Sequence, residues 1–298
     1  CQCAFQKFSF DMPHYCQIDR VTGRLAFDRE FALVDTSGSA MRLHSYPQMS
    51  QIHAKIDLES RTLTITSPNH KDLVLDLDIA NSSTISPEDI QVCGTLCKGN
   101  IWGGCKASKW FSSVLGVRCW LARHHDVEKD AESSDDNKGH AYCNEASMLV
   151  LSQQSISILN SVITAQGTGR LVESRHFRPN IVVSRFDEGI DSGEDRDGHF
   201  QMSTNPEDTW QQITIHGATD DVELNAVGKC ARCQMVDIDP SSGMRGNTLR
   251  ALAQYRRDRG RINFGTFFTG NRSAPKGDVW IEEGNNVYTS SCKIKIDS

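Results

Sequence analysis

Hydrophobic positions in this chain recur most clearly with a period of two. Leu63 and Ile65 alternate with threonines across Thr62–Ser67, and Leu73, Leu75, Leu77 and Ile79 do the same, with polar or acidic residues in the gaps. Successive side chains of a strand point to opposite faces, so each run predicts a strand with one buried face. Asn180–Phe186, Gln212–His216, Val222–Leu224, Cys233–Ile238, Val279–Ile281 and Lys293–Ile296 are further strand candidates. Two segments carry helical spacing. Ala107–Gly116 aligns Trp110, Phe111, Val114 and Leu115 on one stripe with Gly116 as a stop, and Asn247–Gly260 reads as a second helix ended by glycine. Ala146–Ile163 is apolar and partly helical. Many short strands with few helices predict a mainly β chain with a few helices (α+β), built as barrels or sandwiches rather than a doubly wound sheet.

Asp126–Gly139 interrupts this pattern with six acidic residues, two lysines and almost nothing to bury. Such composition does not offset its ordering entropy and reads as a linker. It divides the chain into residues 1–125, the linker at 126–139 and residues 140–298. A second acidic stretch, Asp187–Gly198, suggests a calcium loop through Asp195, Asp197 and Gly198. With Gly198 as the turn glycine, however, Gly193 and Thr204 fall at the first and last ligand positions, which the EF-hand does not allow. It reads as a solvated insertion.

The 298 residues are 38% hydrophobic with a formal net charge of −6, and the mean hydropathy is −0.44. That balance predicts a soluble globular protein and argues against a general nucleic-acid binder. The chain opens at Cys1 without a secretory leader and reads as a fragment or a processed chain. Its 11 cysteines are odd in number and dispersed, so a reducing, cytoplasmic setting is expected.

Chemistry concentrates in four places. Cys230-Ala231-Arg232-Cys233 is a C-x-x-C whose spacing fits half a zinc site, a redox pair or neither. A guanidinium beside a thiol favours the thiolate, which is both a sulfur nucleophile and a soft metal ligand. In Arg175-His-Phe-Arg178-Pro-Asn180, the proline is expected to keep Arg178 extended. Its planar fork suits phosphate or carboxylate, and Asn180 could bond a heterocycle edge or form a surface pair. Arg245, Arg250, Arg256, Arg257, Arg259 and Arg261 form a basic run in an acidic chain: a solvated face or a site for an anionic partner. Cys93, Cys97 and Cys105 show no fourth ligand and read as packing or loop cysteines.

Taken as a set, RHFRPNIVV at Arg175–Val183, W-x-x-I-x-I-x-G at Trp210–Gly217, C-x-R-C-Q-M-V-D-I-D-P-x-x-G at Cys230–Gly243 and INFGTFF at Ile262–Phe268 resemble the MOSC domain family. NEASMLVLS at Asn144–Ser152 and RCQMV are more similar to the C-terminal region of eukaryotic molybdenum cofactor sulfurases than to the amidoxime-reducing relatives, which carry DTSP and RCILT. The resemblance is strong over residues 140–298. It is weaker over 1–125, through CAF at Cys3–Phe5, DREFALV at Asp28–Val34 and YPQM at Tyr46–Met49.

The resemblance implies a β-barrel MOSC domain packed with an N-terminal β-barrel-like domain, together binding the molybdenum–pterin cofactor. By analogy Cys233 is the molybdenum ligand or persulfide-bearing, catalytic cysteine. Arg178, Asn180, Ala231, Arg232 and Phe267 are the cofactor-binding residues. An N-terminal cationic contact of the relatives falls near His44. Phe267 replaces a tyrosine of the relatives, and Glu145-Ala146 replaces their Thr-Ser pair, so the pocket wall differs. The implied function is delivery of terminal sulfur to molybdenum for xanthine dehydrogenase and aldehyde oxidase, with pyridoxal phosphate belonging to an upstream desulfurase domain. The alternatives are an amidoxime-reducing type of oxidoreductase and a non-catalytic cofactor carrier. Neither a nucleic-acid nor a membrane partner is expected.

Overall fold

The computed structural model describes residues 15–78, 88–92, 95–124, 142, 146–167, 169–184 and 205–291. The acidic stretch at 126–139, the calcium-like loop at 187–198, Ile79, Cys93 and the expected strand Lys293–Ile296 lie outside them. Strands dominate what remains. In the first half, β2 (Phe31–Val34), β6 (Glu88–Val92), β7 (Thr95–Ile101) and β8 (Trp120–His124) form a four-stranded sheet ordered β2-β8-β7-β6. β3 (His53–Asp57), β4 (Thr62–Thr66) and β5 (Leu73–Asp76) form a three-stranded meander.

The alternation read from the sequence is realised here. Leu63, Ile65, Leu73, Leu75 and Leu77 all face one core, joined by Phe111 and Leu115 from α1 (Gly104–Leu115). Trp110 and Val114 are only partly buried against that core. Gly116 caps the helix in the left-handed conformation, φ 70°, as its position predicts.

The second half is a seven-stranded sheet ordered β10-β9-β14-β12-β11-β16, with β13 added to β14. Its strands are β9 (Met148–Ser152), β10 (Ile181–Val183), β11 (Trp210–His216), β12 (Asp221–Ala231), β13 (Arg257–Asp258), β14 (Arg261–Gly270) and β16 (Val287–Ser291). Only β9 and β10 pair in parallel, joined through α2 (Gln153–Gln166), whose N-terminus is capped by the Ser152 side chain. α3 (Thr248–Tyr255) packs Leu252 and Ala251 against Phe264 and Leu151. The sheets curl into a half-barrel and a nearly closed barrel, in keeping with the mainly β, α+β expectation.

Two features join the halves. β1 (Tyr15–Asp19) pairs antiparallel with β15 (Asp278–Glu282), so the first described strand is completed by one of the last. Ile238, from the second half of the sequence, is buried in the first-half core, and Met235 packs against it.

Three sequence expectations need correction. Cys233–Ile238 is not a strand; Gln234–Asp237 is a 3-10 turn. Its apolar residues serve two cores, Val236 entering the one around Phe264 while Met235 and Ile238 enter the one around Phe31. The expected helix Asn247–Gly260 stops at Tyr255, because Arg256 is drawn into a two-pronged pair with the Asp208 carboxylate at 2.9 and 2.7 Å. Gly260 is a hairpin residue instead. Arg178 is not extended: its φ is +55°. A following proline disfavours the right-handed helical region, and here the chain uses the left-handed one.

Candidate functional site

Cys233 lies directly beyond the end of β12, half-exposed, at the seam between the two cores. Its position is fixed from both sides. On the β12 side Ala231 pairs with Asn263, and the Arg232 N–H donates to the Ile262 carbonyl at 2.7 Å. On the other side the 3-10 turn anchors through Met235, Val236 and Ile238, while Asp237 accepts from the Leu249 N–H at 2.7 Å and so caps α3.

The two cysteines of the C-x-x-C differ in kind. Cys230 is fully buried among Ala146, Leu149 and Phe267 and serves as a packing group. Cys16, Cys97, Cys105, Cys119, Cys230 and Cys233 are all thiols rather than disulfides. Among the described residues no group of three or more His, Cys, Asp or Glu is placed to hold a metal ion.

Arg232 follows Ala231 off the strand and turns its guanidinium inward. Nε donates to the Phe264 carbonyl at 2.7 Å and Nη1 to the Phe177 carbonyl at 2.9 Å, and the group lies 5.5 Å from the Phe177 ring centroid. A bulge makes room for it. Between the pairs Lys229↔Thr266 and Ala231↔Asn263 the register slips, and Gly265 takes φ +83°. A Cβ at Gly265 would stand 2.8 Å from Leu151 Cδ2 and 3.2 Å from Arg232 Nη2. Arg232 was expected to lend its charge to the neighbouring thiol. Two of its donors are committed to carbonyls, and through the Phe177 carbonyl it braces the turn that carries Arg178.

Arg178 is crowded by protein on every side yet keeps part of its accessible surface, as a group lining a recess does. Burial first, and then the nearby Arg29 charge, push its pKa down to about 9; Asp28 and Cys233 act in the opposite sense. The guanidinium stays protonated at neutral pH, and Asp28, 3.6 Å from Arg29 Nε, offsets part of the positive charge the two arginines bring together.

Asn180 ties this recess to the first half. Its backbone N–H donates to the Leu149 carbonyl at 2.8 Å, and its Oδ1 accepts from the Leu149 N–H at 3.0 Å. Oδ1 also accepts from Arg29 Nη2 at 3.2 Å, and Nδ2 donates to Asp28 Oδ2 at 2.8 Å. Arg29 Nη1 donates to the Ala146 carbonyl at 3.1 Å. Asn180 thus acts as a clasp between β9 and the Phe27–Arg29 turn. Phe27, Arg29 and Arg178 all have positive φ, at 62°, 61° and 55°. Non-glycine residues held in the left-handed region cost about 1–2 kcal/mol each, and their clustering marks this spot as functionally constrained.

The sequence reading overlooked Arg29. It sits inside DREFALV, which was noted only as a resemblance, and the N-terminal contact was expected near His44. His44 is exposed and bonds its neighbour Ser45, while Arg29 donates to Asn180, two residues after Arg178. Phe267 is 4% exposed and lies beneath the wall with Cys230 and Leu149. Glu145 is outside the described residues, while Ala146 supplies the carbonyl that holds Arg29.

No helix among the described residues is long and apolar enough to cross a membrane. Residues 9–118 match the family described as the MOSC N-terminal beta barrel domain, and residues 137–288 match the MOSC domain. The chain is similar to the molybdenum cofactor sulfurase of Oryza sativa subsp. japonica, 29% identical over 293 residues, covering 91% of this chain and 33% of the relative. That of Solanum lycopersicum is 29% identical over 284 residues, covering 88% and 32%. Molybdenum cofactor sulfurase 2 of Culex quinquefasciatus is 29% identical over 269 residues, covering 85% and 31%. The chain therefore spans about a third of the length of these relatives. A solution structure of a Bordetella bronchiseptica protein overlaps 37% of the chain at 17% identity with a TM-score of 0.30, too loosely to bear on the fold. Barrel architecture, the seam that carries Cys233, Arg178 and Arg29, and a family match over more than half of its length lead to one assignment: the chain belongs to the MOSC domain family, its MOSC domain preceded by a MOSC N-terminal β-barrel domain.

Proposed function

We propose that this chain binds the molybdenum–pterin cofactor at the seam and takes part in placing a terminal sulfur on its molybdenum. The observation that supports the reading is the arrangement at the seam: Cys233 follows Arg232, whose guanidinium donates to the Phe177 carbonyl next to Arg178, and Asn180 accepts from Arg29 of the first half. The relatives' name supports the same reading.

The donor set fits such a group. Cys233 offers a soft sulfur ligand, and binding metal would take its proton. Arg178 and Arg29 outnumber the one carboxylate of Asp28 beside them, and a planar guanidinium suits an anionic phosphate. When bound, the cofactor supplies a metal centre able to carry sulfur.

The chain's own residues do the remaining work. Arg178 grips the anion, held in its left-handed turn by the Arg232 brace. Asn180 holds Arg29 in place rather than presenting a spare edge to a ring. Phe267 and Cys230 form the dry floor.

The sulfur itself would come from a pyridoxal-phosphate desulfurase domain of the same protein. The clients would be apo xanthine dehydrogenase and apo aldehyde oxidase, and the setting cytoplasmic. The test is titration of purified cofactor into the chain and into Cys233→Ala, with molybdenum counted after desalting. Stoichiometric retention by the parent and its loss in the variant are expected. Equal retention by both, or by neither, overturns the reading.

A further inference from the structure

The arginines of the basic run do not share one role. Arg256 is internal, bonded to the Asp208 carboxylate and to the Asn263 carbonyl. Arg250, Arg257, Arg259 and Arg261 are exposed, and none has a carboxylate within ion-pair distance among the described residues. They stand together on α3 and on the β13–β14 hairpin, in a chain whose net charge is −6.

The hairpin is built at a local disadvantage. Asp258 pairs with Arg261, which leaves Arg259 and Gly260 as a two-residue turn, and both have positive φ, 45° and 80°. Such a turn favours Asn, Asp or Gly at its first position. An arginine there sacrifices stability for a cation at the tip, and retained strain of this kind points to use. The hairpin also adjoins the site, since Ile262, the partner of Arg257, accepts the hydrogen bond from the Arg232 N–H next to Cys233. Just before α3 in sequence, Met244 is 65% exposed next to Arg245, and elsewhere Leu171 is 57% exposed next to Arg170, which bonds Asp239.

We propose that this face, Arg250 with the Arg257–Arg261 hairpin and the flanking Met244, is the docking surface for an acidic face of a partner protein that must reach Cys233. Compact cations bordered by exposed apolar side chains suit a protein surface, which offers carboxylates and apolar contacts together. A nucleic-acid backbone needs a longer track of cations and would meet the chain's overall negative charge. What the partner does at Cys233 rests on the function proposed above; the surface itself does not.

The test uses the full chain, fluorescently labelled poly-L-glutamate and labelled oligothymidylate, read by anisotropy at low and moderate salt. The variants are Arg257→Gln/Arg259→Asn/Arg261→Gln together, and Arg250→Gln separately, each checked by circular dichroism. Saturable poly-L-glutamate binding should weaken roughly tenfold in the triple variant and less in Arg250→Gln, as expected for a few exposed ion pairs. Cys233→Ala should bind poly-L-glutamate like the parent, and the triple variant should retain molybdenum like the parent. If no chain retains molybdenum while the poly-L-glutamate pattern holds, the cofactor reading fails and the docking surface stands. Absence of poly-L-glutamate binding, binding that the triple variant leaves unchanged, or tighter binding of oligothymidylate overturns the proposal.

Discussion

Replacing Asn180 should loosen the joint between the halves, and the structure sets the size of the effect. The Asn180 amide makes three side-chain bonds: one to a neutral peptide, Leu149 N–H, and two to charged groups, Arg29 and Asp28. At about 1 kcal/mol for the first and about 1.5 kcal/mol for each of the others, truncation has a ceiling of about 4 kcal/mol. Asn180 is half-exposed, so water takes up part of the loss, and Asn180→Ala should destabilise by about 2–3 kcal/mol. For a chain of this length that lowers the melting temperature by about 3–5 °C.

The companion variant separates the clasp from mere bulk. Asn180→Asp keeps the acceptor toward Leu149 and Arg29 but sets a carboxylate against Asp28, and adding Asp28→Asn restores a donor–acceptor pair with its sense reversed. The swap should recover about 1–2 kcal/mol over the sum of the single changes. Thermal and urea unfolding followed by far-UV circular dichroism gives the cycle, and molybdenum retention on the same samples reports whether Arg29 is still in place. A melting temperature for Asn180→Ala within about 1 °C of the parent, or a swap that recovers nothing, refutes the clasp.

Gly265→Ala should cost about 2 kcal/mol or more, because φ +83° and the 2.8 Å approach to Leu151 both oppose a side chain. Molybdenum retention should fall with it, since Arg232 must shift; unchanged unfolding would discount the bulge. Glu207 is fully buried, and Ser152 and Ser155 both donate to its Oε2, at 2.7 and 2.6 Å. Burial raises its pKa above the ordinary 4.5, only partly offset by the two serines. In the window above 4.5 the unfolded chain has released this proton while the native chain still holds it. The parent should therefore lose stability relative to Glu207→Gln as pH rises through that window; a difference that does not vary with pH would sink the assignment.

The period-two runs made the first-half core legible because one face of each strand is buried and the other wet. The same logic failed at Met235–Ile238, where consecutive apolar residues separate between two cores. No strand pattern encodes that division, since it depends on a neighbour supplied from elsewhere in the chain. Arg256 defeated the helix boundary in a similar way, through a carboxylate 48 residues away. Of the candidate site, Cys233 and Arg178 were legible as residue types suited to sulfur and anions, and the resemblance brought them together. The division of labour among Arg178, Arg232 and Arg29 was not. It follows from the Gly265 bulge and the Phe27–Arg29 turn, which turn guanidinium groups inward or outward irrespective of their place in a motif.

The pairing of β1 with β15 sets the order in which the protein can mature. A chain leaves the ribosome amino end first, and although β1 has a local bridge to Leu25, its strand partner β15 comes only with the segment around Trp280. The first-half core likewise waits for Ile238. Closing so long a loop is entropically slow, and exposed strand edges are at risk in the interval. The two barrels are therefore obliged to finish together, and the seam between them is complete only when synthesis of both has ended.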